Sequence, residues 1–316
     1  MKLKTNNLRE AGLIVIIAAL CIAMSFASEF FLTWENIRAM LLSFAIEGIV
    51  VVGMTVLLIV GGIDLAVGSV VCLAMVIVGA LFLMGLDPWS ASLIAIAASA
   101  AIGLCMGLCV TKIGLSHFMS SLAFMVIARG LSLAITQGTP QSLFALPPEF
   151  KALGQGTVGG VPIVILIFAA IVIVSDFVLR KSTLFRKVFY TGSNERAALY
   201  AGINVNRVKL WVTVLCATMS GIAGVIYTAR FGAATPTFGV GMELNVIAAA
   251  VIGGASLKGG SGTIYGAVLG LALLSVVTSS LILLDVSVYW QDVIKGGILL
   301  LAVSLDHWMN TRKARK

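Results

Sequence analysis

The stretch Ala45–Ser69 reads AIEGIVVVGMTVLLIVGGIDLAVGS. Its first sixteen residues carry one charge, Glu47, and extend an apolar run that begins near residue 40. A helix rises 1.5 Å per residue, so about 20 apolar residues cross the roughly 30 Å hydrocarbon core of a bilayer. Gly61-Gly62-Ile63-Asp64 then breaks the run, and a second apolar run follows from Val67. Two such runs on either side of a glycine-rich break describe membrane helices with an interruption between them.

The rest of the chain follows the same pattern. Of 316 residues, 60% are hydrophobic and 11% are charged, against about 25% charged in soluble domains. The mean hydropathy is +1.10. Apolar runs fall at about 13–33, 40–60, 67–86, 90–111, 118–136, 161–179, 208–228, 244–254, 264–284 and 288–304. The fold class expected is an all-α integral membrane protein of about ten transmembrane helices (8–10), with Gly-interrupted helices and a weak internal repeat. One transmembrane domain over residues 1–316 is expected.

Charge fixes the expected orientation. Threading ten spans from a cytoplasmic N-terminus puts sixteen of the 21 Lys and Arg residues on the cytoplasmic side and Arg38, Lys151 and Arg230 outside, with Arg129 and Lys295 within spans. Basic residues accumulate on the cytoplasmic side of membrane proteins, so both termini and Arg180–Lys209 are expected inside. Lys2, Lys4 and Arg9 precede the first apolar run, which reads as a retained helix. The net charge of +8 lies at membrane boundaries, which excludes a nucleic-acid-binding face. All six prolines fall in or beside exterior connections, and the longest of these, Gln137–Gly160, reads as an irregular surface with room for a partner.

The first glycine-rich break has a counterpart. Gly61-Gly62-Ile63-Asp64-Leu65-Ala66-Val67-Gly68-Ser69 matches Gly253-Gly254-Ala255-Ser256-Leu257-Lys258-Gly259-Gly260-Ser261 loosely, at a constant offset of 192. Glycine-interrupted segments in corresponding positions of two halves point to a transport pathway; two ordinary hairpins would look alike. Glu47, Gly61, Gly62, Asp64, Gly253, Gly254 and Ser256 are therefore the pathway candidates. Asp64 can alternatively cap the helix that follows, and Asp292 with Lys295 can pair at i, i+3. Gly103/Gly107 and Gly266/Gly270 are spaced for close helix packing. The five cysteines sit in apolar runs and read as small packing residues.

Arg180–Lys209 carries seven basic residues and one acid, Glu195. Ser193 or Asn194 can cap a helix at its start, Glu195 favours the positive end of that helix, and Gly202 can end it in the left-handed conformation. A helix of about two turns is not stable alone, so it needs a surface to dock on.

At this loop the chain resembles a known family. Asn194–Lys209 is similar to the cytoplasmic coupling loop of ribose-type (monosaccharide) ABC importer permeases, the binding-protein-dependent transport system inner membrane component family. The break at Gly61–Ser69, the segment Ala248–Gly260 and the ending Trp290–Gly296 resemble further signatures of that family, in the same order. The resemblance implies the permease subunit of an ATP-driven importer of a monosaccharide or sugar-like solute, working by alternating access in the bacterial inner membrane. It implies a cytoplasmic ATPase with two nucleotide-binding domains, which holds ATP and Mg, and an extracytoplasmic solute-binding protein. A second permease copy or paralogue, membrane lipid and a small solute complete the expected partners. Glu195, Ala197, Ala198, Leu199 and Gly202 are the residues it implies for coupling to the ATPase. Arg196 stands where the family often has a small residue, which makes this loop more basic.

The chain carries no chemistry of its own. It has no GxxxxGK[ST], HExxH or GxSxG, and no His/Asp/Glu cluster at metal-ligand spacing. No catalytic, cofactor or metal residue is therefore assigned, and energy must come from a partner or an ion gradient. Two other readings remain at this point. One is an ion-driven carrier using Glu47 and Asp64; the other is an intramembrane enzyme on lipid-linked sugars with one of them as a catalytic carboxylate.

Overall fold

Each of the ten apolar runs lies on a helix. The structure, a computed structural model, describes residues 2–314. The helices over the runs are α1 (Lys2–Ala27), α2 (Trp34–Val60), α3 (Val67–Leu83), α4 (Pro88–Leu108), α5 (His117–Thr136), α7 (Ile163–Lys181), α10 (Val205–Phe231), α11 (Met242–Ile252), α12 (Ile264–Leu283) and α13 (Val288–Ala314). Three shorter ones, α6 (Pro148–Gln155), α8 (Thr183–Ser193) and α9 (Glu195–Tyr200), lie in the connections. Among the described residues, α1, α2, α4, α5, α10 and α12 are long and apolar enough to cross a membrane, while α3, α7 and α11 hold shorter apolar helices.

The helices begin where the chain supplies a cap. The Thr33 hydroxyl accepts from the Asn36 amide at the start of α2. Asp87 accepts from the Trp89 and Ser90 amides ahead of Pro88 in α4, and Thr263 from the Gly266 amide in α12. Each cap satisfies an amide the helix cannot pair by itself. The centre of the bundle is α2 and α10, with α10 packed on α2, α3 and α4. Gly103 faces the α10 backbone at Thr213 and Val214, and Gly270 faces Ala249 of α11, so both small-residue pairs serve packing.

The long connection is more ordered than its glycines and prolines predict. Residues 137–160 hold α6 and one strand of each of two pairings. β1 (Gln141–Ser142) pairs antiparallel with β4 (Ala233–Ala234), and β2 (Thr157–Val158) with β3 (Val161–Pro162). Pro148 sits in the first turn of α6, where the missing amide hydrogen has no partner to lose, and Phe150 is buried beneath it. Pro236, like Pro88 and Pro162, is buried.

The reason lies in the segment Gly232–Gly241. With 11 residues, α11 spans about 17 Å, too little to cross the hydrocarbon. The preceding irregular backbone supplies the remaining depth by running down α3, from Ala234 beside Gly79 to Gly239 against Gly68. Bare carbonyls at such depth are tolerated only when the protein satisfies them. Arg129 of α5 does so, donating to the Pro236 oxygen at 3.0 Å and the Phe238 oxygen at 2.7 Å, and the Cys72 thiol reaches the Pro236 oxygen at 3.1 Å.

This arrangement predicts that Arg129→Leu lowers the stability of the detergent-solubilised protein by about 3 kcal/mol, since two charge-assisted bonds are lost and their acceptors stay buried. Arg129→Lys recovers part of that, because an ammonium lacks the planar fork. Thermal unfolding of the three proteins measures both effects.

Candidate functional site

The two glycine-rich breaks meet. Gly61 ends α2 with φ 91°, and residues 61–66 turn the chain into α3. In that turn the Asp64 carboxylate accepts from the Ala66 amide at 2.7 Å. Asp64 is 1% exposed, and its second oxygen has no hydrogen-bond partner among the described residues. Its alternative reading, a cap on the following helix, is not met: α3 begins at Val67 without a side-chain cap, and the bond to the Ala66 amide closes a turn ahead of it. Gly62 packs beside Leu57 and His117.

The second break, residues 253–263, is closed by its own bonds. The Ser256 amide donates to the Ser261 oxygen at 3.0 Å and the Gly259 amide to the Ser256 oxygen at 3.0 Å. The Ser256 hydroxyl accepts from the Lys258 amide at 3.2 Å. Gly253 lies against the backbone of Gly266, and Gly254 lies beside Arg9, whose guanidinium donates to the Val251 oxygen at 2.7 Å. The Gly260 amide donates to the Ile59 oxygen at 2.8 Å, joining this break to the end of α2.

A cavity of about 240 Å³ lies elsewhere, among α2, α11, α12 and α13. Asn36, Ser43 and Glu47 of α2 line it, with Asn245 of α11, Ser275, Thr278 and Ser279 of α12 and Lys295 of α13. Ala39 and Ile282 on its rim are exposed, so it opens to the surface. The Ser279 hydroxyl donates to the Asn36 side-chain amide oxygen, Oδ1, at 3.0 Å. Arg230 donates to the Ser43 hydroxyl at 3.3 Å. Lys295 stands 3.7 Å from Asp292, the pairing that their i, i+3 spacing predicts. Hydroxyls, amides, one carboxylate and one ammonium can together accept from and donate to a polar solute of modest size.

The seven pathway candidates thus separate. Glu47 lines the cavity, whereas Gly61, Gly62, Asp64, Gly253, Gly254 and Ser256 belong to the junction of the two breaks. Asn36, Ser43, Asn245, Ser275, Thr278 and Ser279 were not singled out by sequence reasoning. A signal was present in α12, where Ser275, Thr278 and Ser279 recur at i, i+3 and i+4 on an otherwise apolar helix, which places them on one face.

The basic loop folds into two helices where one was expected. On α8, Phe185 and Phe189 are part-buried and Val188 is buried, while Arg186 and Lys187 are exposed. On α9, Asn194 is the cap, accepting from the Ala197 amide at 3.0 Å, and Gly202 follows the helix with φ 77°. Glu195 pairs with Lys209 of α10 at 2.8 Å. Ala198 is 3% exposed and faces its own chain, so it holds α9 in place and offers no surface to a partner. Ala197, Leu199 and Tyr200 point outward, Tyr200 at 93% exposure.

Residues 36–303 match the family described as branched-chain amino acid transport system / permease component. The ribose import permease protein RbsC of Bacillus subtilis (strain 168) is 36% identical over 91% of this chain and 89% of its own. RbsC of Escherichia coli (strain K12) is 34% identical over 95% and 94%. The L-arabinose ABC transporter permease protein AraH of Azospirillum brasilense is 33% identical over 98% and 91%. No solved structure matches the chain.

If the cavity holds water, Thr278→Cys is modified by a small charged methanethiosulfonate reagent in a chain whose five native cysteines are replaced. Ala74→Cys, fully buried in α3, stays unmodified. Mass spectrometry reads both; an inert Thr278→Cys marks the cavity as dry.

Proposed function

The chain belongs to this family of transport-system permease components, and from that membership we propose that it is the membrane-spanning subunit of an ATP-binding-cassette importer for a sugar-like solute. As a permease component it is a transport subunit and not an enzyme, and it lies in the inner membrane as a multi-pass protein. The observation that carries the solute class is the near full-length identity to permeases named for ribose and L-arabinose. The cavity fits that reading. A polyhydroxylated solute needs donors and acceptors and no net counter-charge, and Glu47 and Lys295 bring one charge of each sign. The same pair suits the zwitterion of an amino acid, the solute named in the family description, so uptake assays include both classes.

The proposed topology has ten crossings of one domain, residues 1–316, with both termini and residues 180–209 in the cytoplasm and residues 137–160 outside. Sixteen of the 21 basic residues support it. The shorter α3 and α11 complete their crossings through the part-buried irregular segments beside them. In this orientation the cavity lies in the outer half of the bundle and the junction of the two breaks in the inner half.

Energy then enters through α9. Leu199 and Tyr200 are apolar, exposed and held by a helix capped at both ends, which is the presentation a groove on a cytoplasmic ATPase requires. ATP and Mg are held by that ATPase, which carries two nucleotide-binding domains. The solute arrives from an extracytoplasmic binding protein, and a second permease copy or a paralogue completes the membrane unit. Closure of the ATPase drives the switch from outward to inward access.

Leu199→Asp and Tyr200→Ala each lower uptake roughly tenfold and weaken co-purification with the ATPase, as loss of a buried apolar anchor does, while the external protein keeps its solute affinity. Radiolabelled sugar uptake into vesicles containing the ATPase and binding protein tests the whole reading. Uptake that needs no ATP, or that takes an amino acid in place of a sugar, overturns it. Phe144→Cys and Arg196→Cys label from opposite faces of the membrane; labelling of both from outside reverses the topology.

A further inference from the structure

We propose that Gly192 is a positioning residue that clamps the α8–α9 arm onto both glycine-rich breaks, so that a displacement of α9 is delivered to α2, α11 and α12. The proposal rests on α9 as the docking helix for the ATPase and adds where its movement enters the bundle.

Three backbones converge at this point. The Gly260 amide bonds to the Ile59 oxygen at 2.8 Å, tying the second break to the last turn of α2. Gly192 of α8 sits in the fork between them. A Cβ at Gly192 would overlap the Ile59 carbonyl oxygen and lie 2.7 Å from the Gly260 nitrogen. From the other side, a Cβ at Gly259 would lie 2.8 Å from the Gly192 oxygen and 3.1 Å from the Gly61 Cα.

Glycine at 192 has no conformational reason to be there. It lies within a helix and is absent from the residues with positive φ, and a helical glycine costs about 0.5–1 kcal/mol relative to alanine. What the missing side chain provides is contact of backbone with backbone. Such a contact has no rotamers to absorb a shift, and close-packed interiors transmit displacement.

The arm is fixed to this point at short range. Only Asn194 separates α8 from α9, and the Glu195–Lys209 pair holds the start of α9 to α10. On the far side, α2 ends in the junction, and the break 253–263 joins α11 to α12. Those helices supply three of the four walls of the cavity. A tilt of α9 therefore reaches the walls where Gly192 and Ser193 meet Ile59 and Gly260.

The test uses the full chain with its ATPase and binding protein in vesicles. Gly192→Ala is expected to leave assembly and basal ATP hydrolysis within about twofold of wild type. Stimulation of hydrolysis by loaded binding protein disappears, and uptake falls roughly tenfold or more, because the added methyl has only backbone to displace. Lys187→Ala, which removes an exposed side chain on the same helix, remains close to wild type. Coupled uptake at the wild-type rate in Gly192→Ala overturns the clamp. Should that variant fail to assemble, spin labels at Arg196→Cys and Lys258→Cys in an otherwise active, cysteine-free chain decide the question. A separation that holds within about 2 Å between nucleotide-free and ATP-bound complexes supports the clamp, and a larger change overturns it. A wild-type chain that transports without recruiting any ATPase overturns the docking reading and the clamp with it.

Discussion

Hydrocarbon offers no hydrogen bonds, and that constraint decides where this chain is allowed to leave the helical path. A lipid-exposed carbonyl or amide without a partner costs several kcal/mol, so the irregular segments at residues 61–66, 232–241 and 253–263 lie against the helices and are supplied with partners. At residues 61–66 the Asp64 carboxylate takes up the Ala66 amide. At residues 253–263 the main chain closes on itself and lends the Gly260 amide to Ile59. At residues 232–241 the partner comes from another helix, as Arg129 donates to two carbonyls. Arg129 is an intramembrane charge with a structural task. Its own burial is tolerated because the carbonyls compensate it.

The same constraint explains what the sequence discloses. Hydropathy is a local property, and a helix satisfies its backbone locally, so all ten apolar runs correspond to helices. The glycine breaks are local too and show in the sequence as a repeat. Their meeting does not show, because the bond between Gly260 and Ile59 joins residues some two hundred positions apart. Arg129 is recognisable as a charge that needs a partner, yet its acceptors lie 107 and 109 residues further along. The segment that receives it reads as an exterior connection because Pro236 and its glycines carry the signature of a surface loop. The cavity is assembled from four helices, so no window of sequence contains it. Only the face of α12 bearing Ser275, Thr278 and Ser279 gives notice of it.

Cap chemistry is legible for the same reason that spans are. Asn194 and Gly202 act within one turn of their own positions at the two ends of α9, while Glu195, in the first turn, reaches on to Lys209. The orientation of that helix is not legible. Ala198 and Leu199 are neighbours in sequence, and the 100° between them sends one into the protein and the other outward. A small side chain suits close approach to any backbone; here the backbone is the chain's own. Missing α8 has a different cause. Its basic residues dominate the composition of the loop, and the apolar face formed by Phe185, Val188 and Phe189 emerges only when helical spacing is imposed.

Glu47 and Asp64 show how one helix serves two ends. Both carboxylates stand in or just after α2, seventeen residues apart, and from sequence both read as pathway charges. The first half of α2, from Asn36 to Glu47, turns polar side chains into the cavity. The second half, from Ile49 to Val60, is buried throughout and ends in the junction that Gly192 and Gly260 share with Ile59. A helix of 27 residues is about 40 Å long, and its buried half holds it rigid against α10, α11 and α12. Movement at the junction therefore cannot be dissipated by bending at that end. In the proposed permease it passes along α2 to the half that carries Glu47. Asp64, fixed by its bond to Ala66, keeps the turn beyond Gly61 closed while this happens. One carboxylate lines the cavity; the other closes the turn that follows the helix.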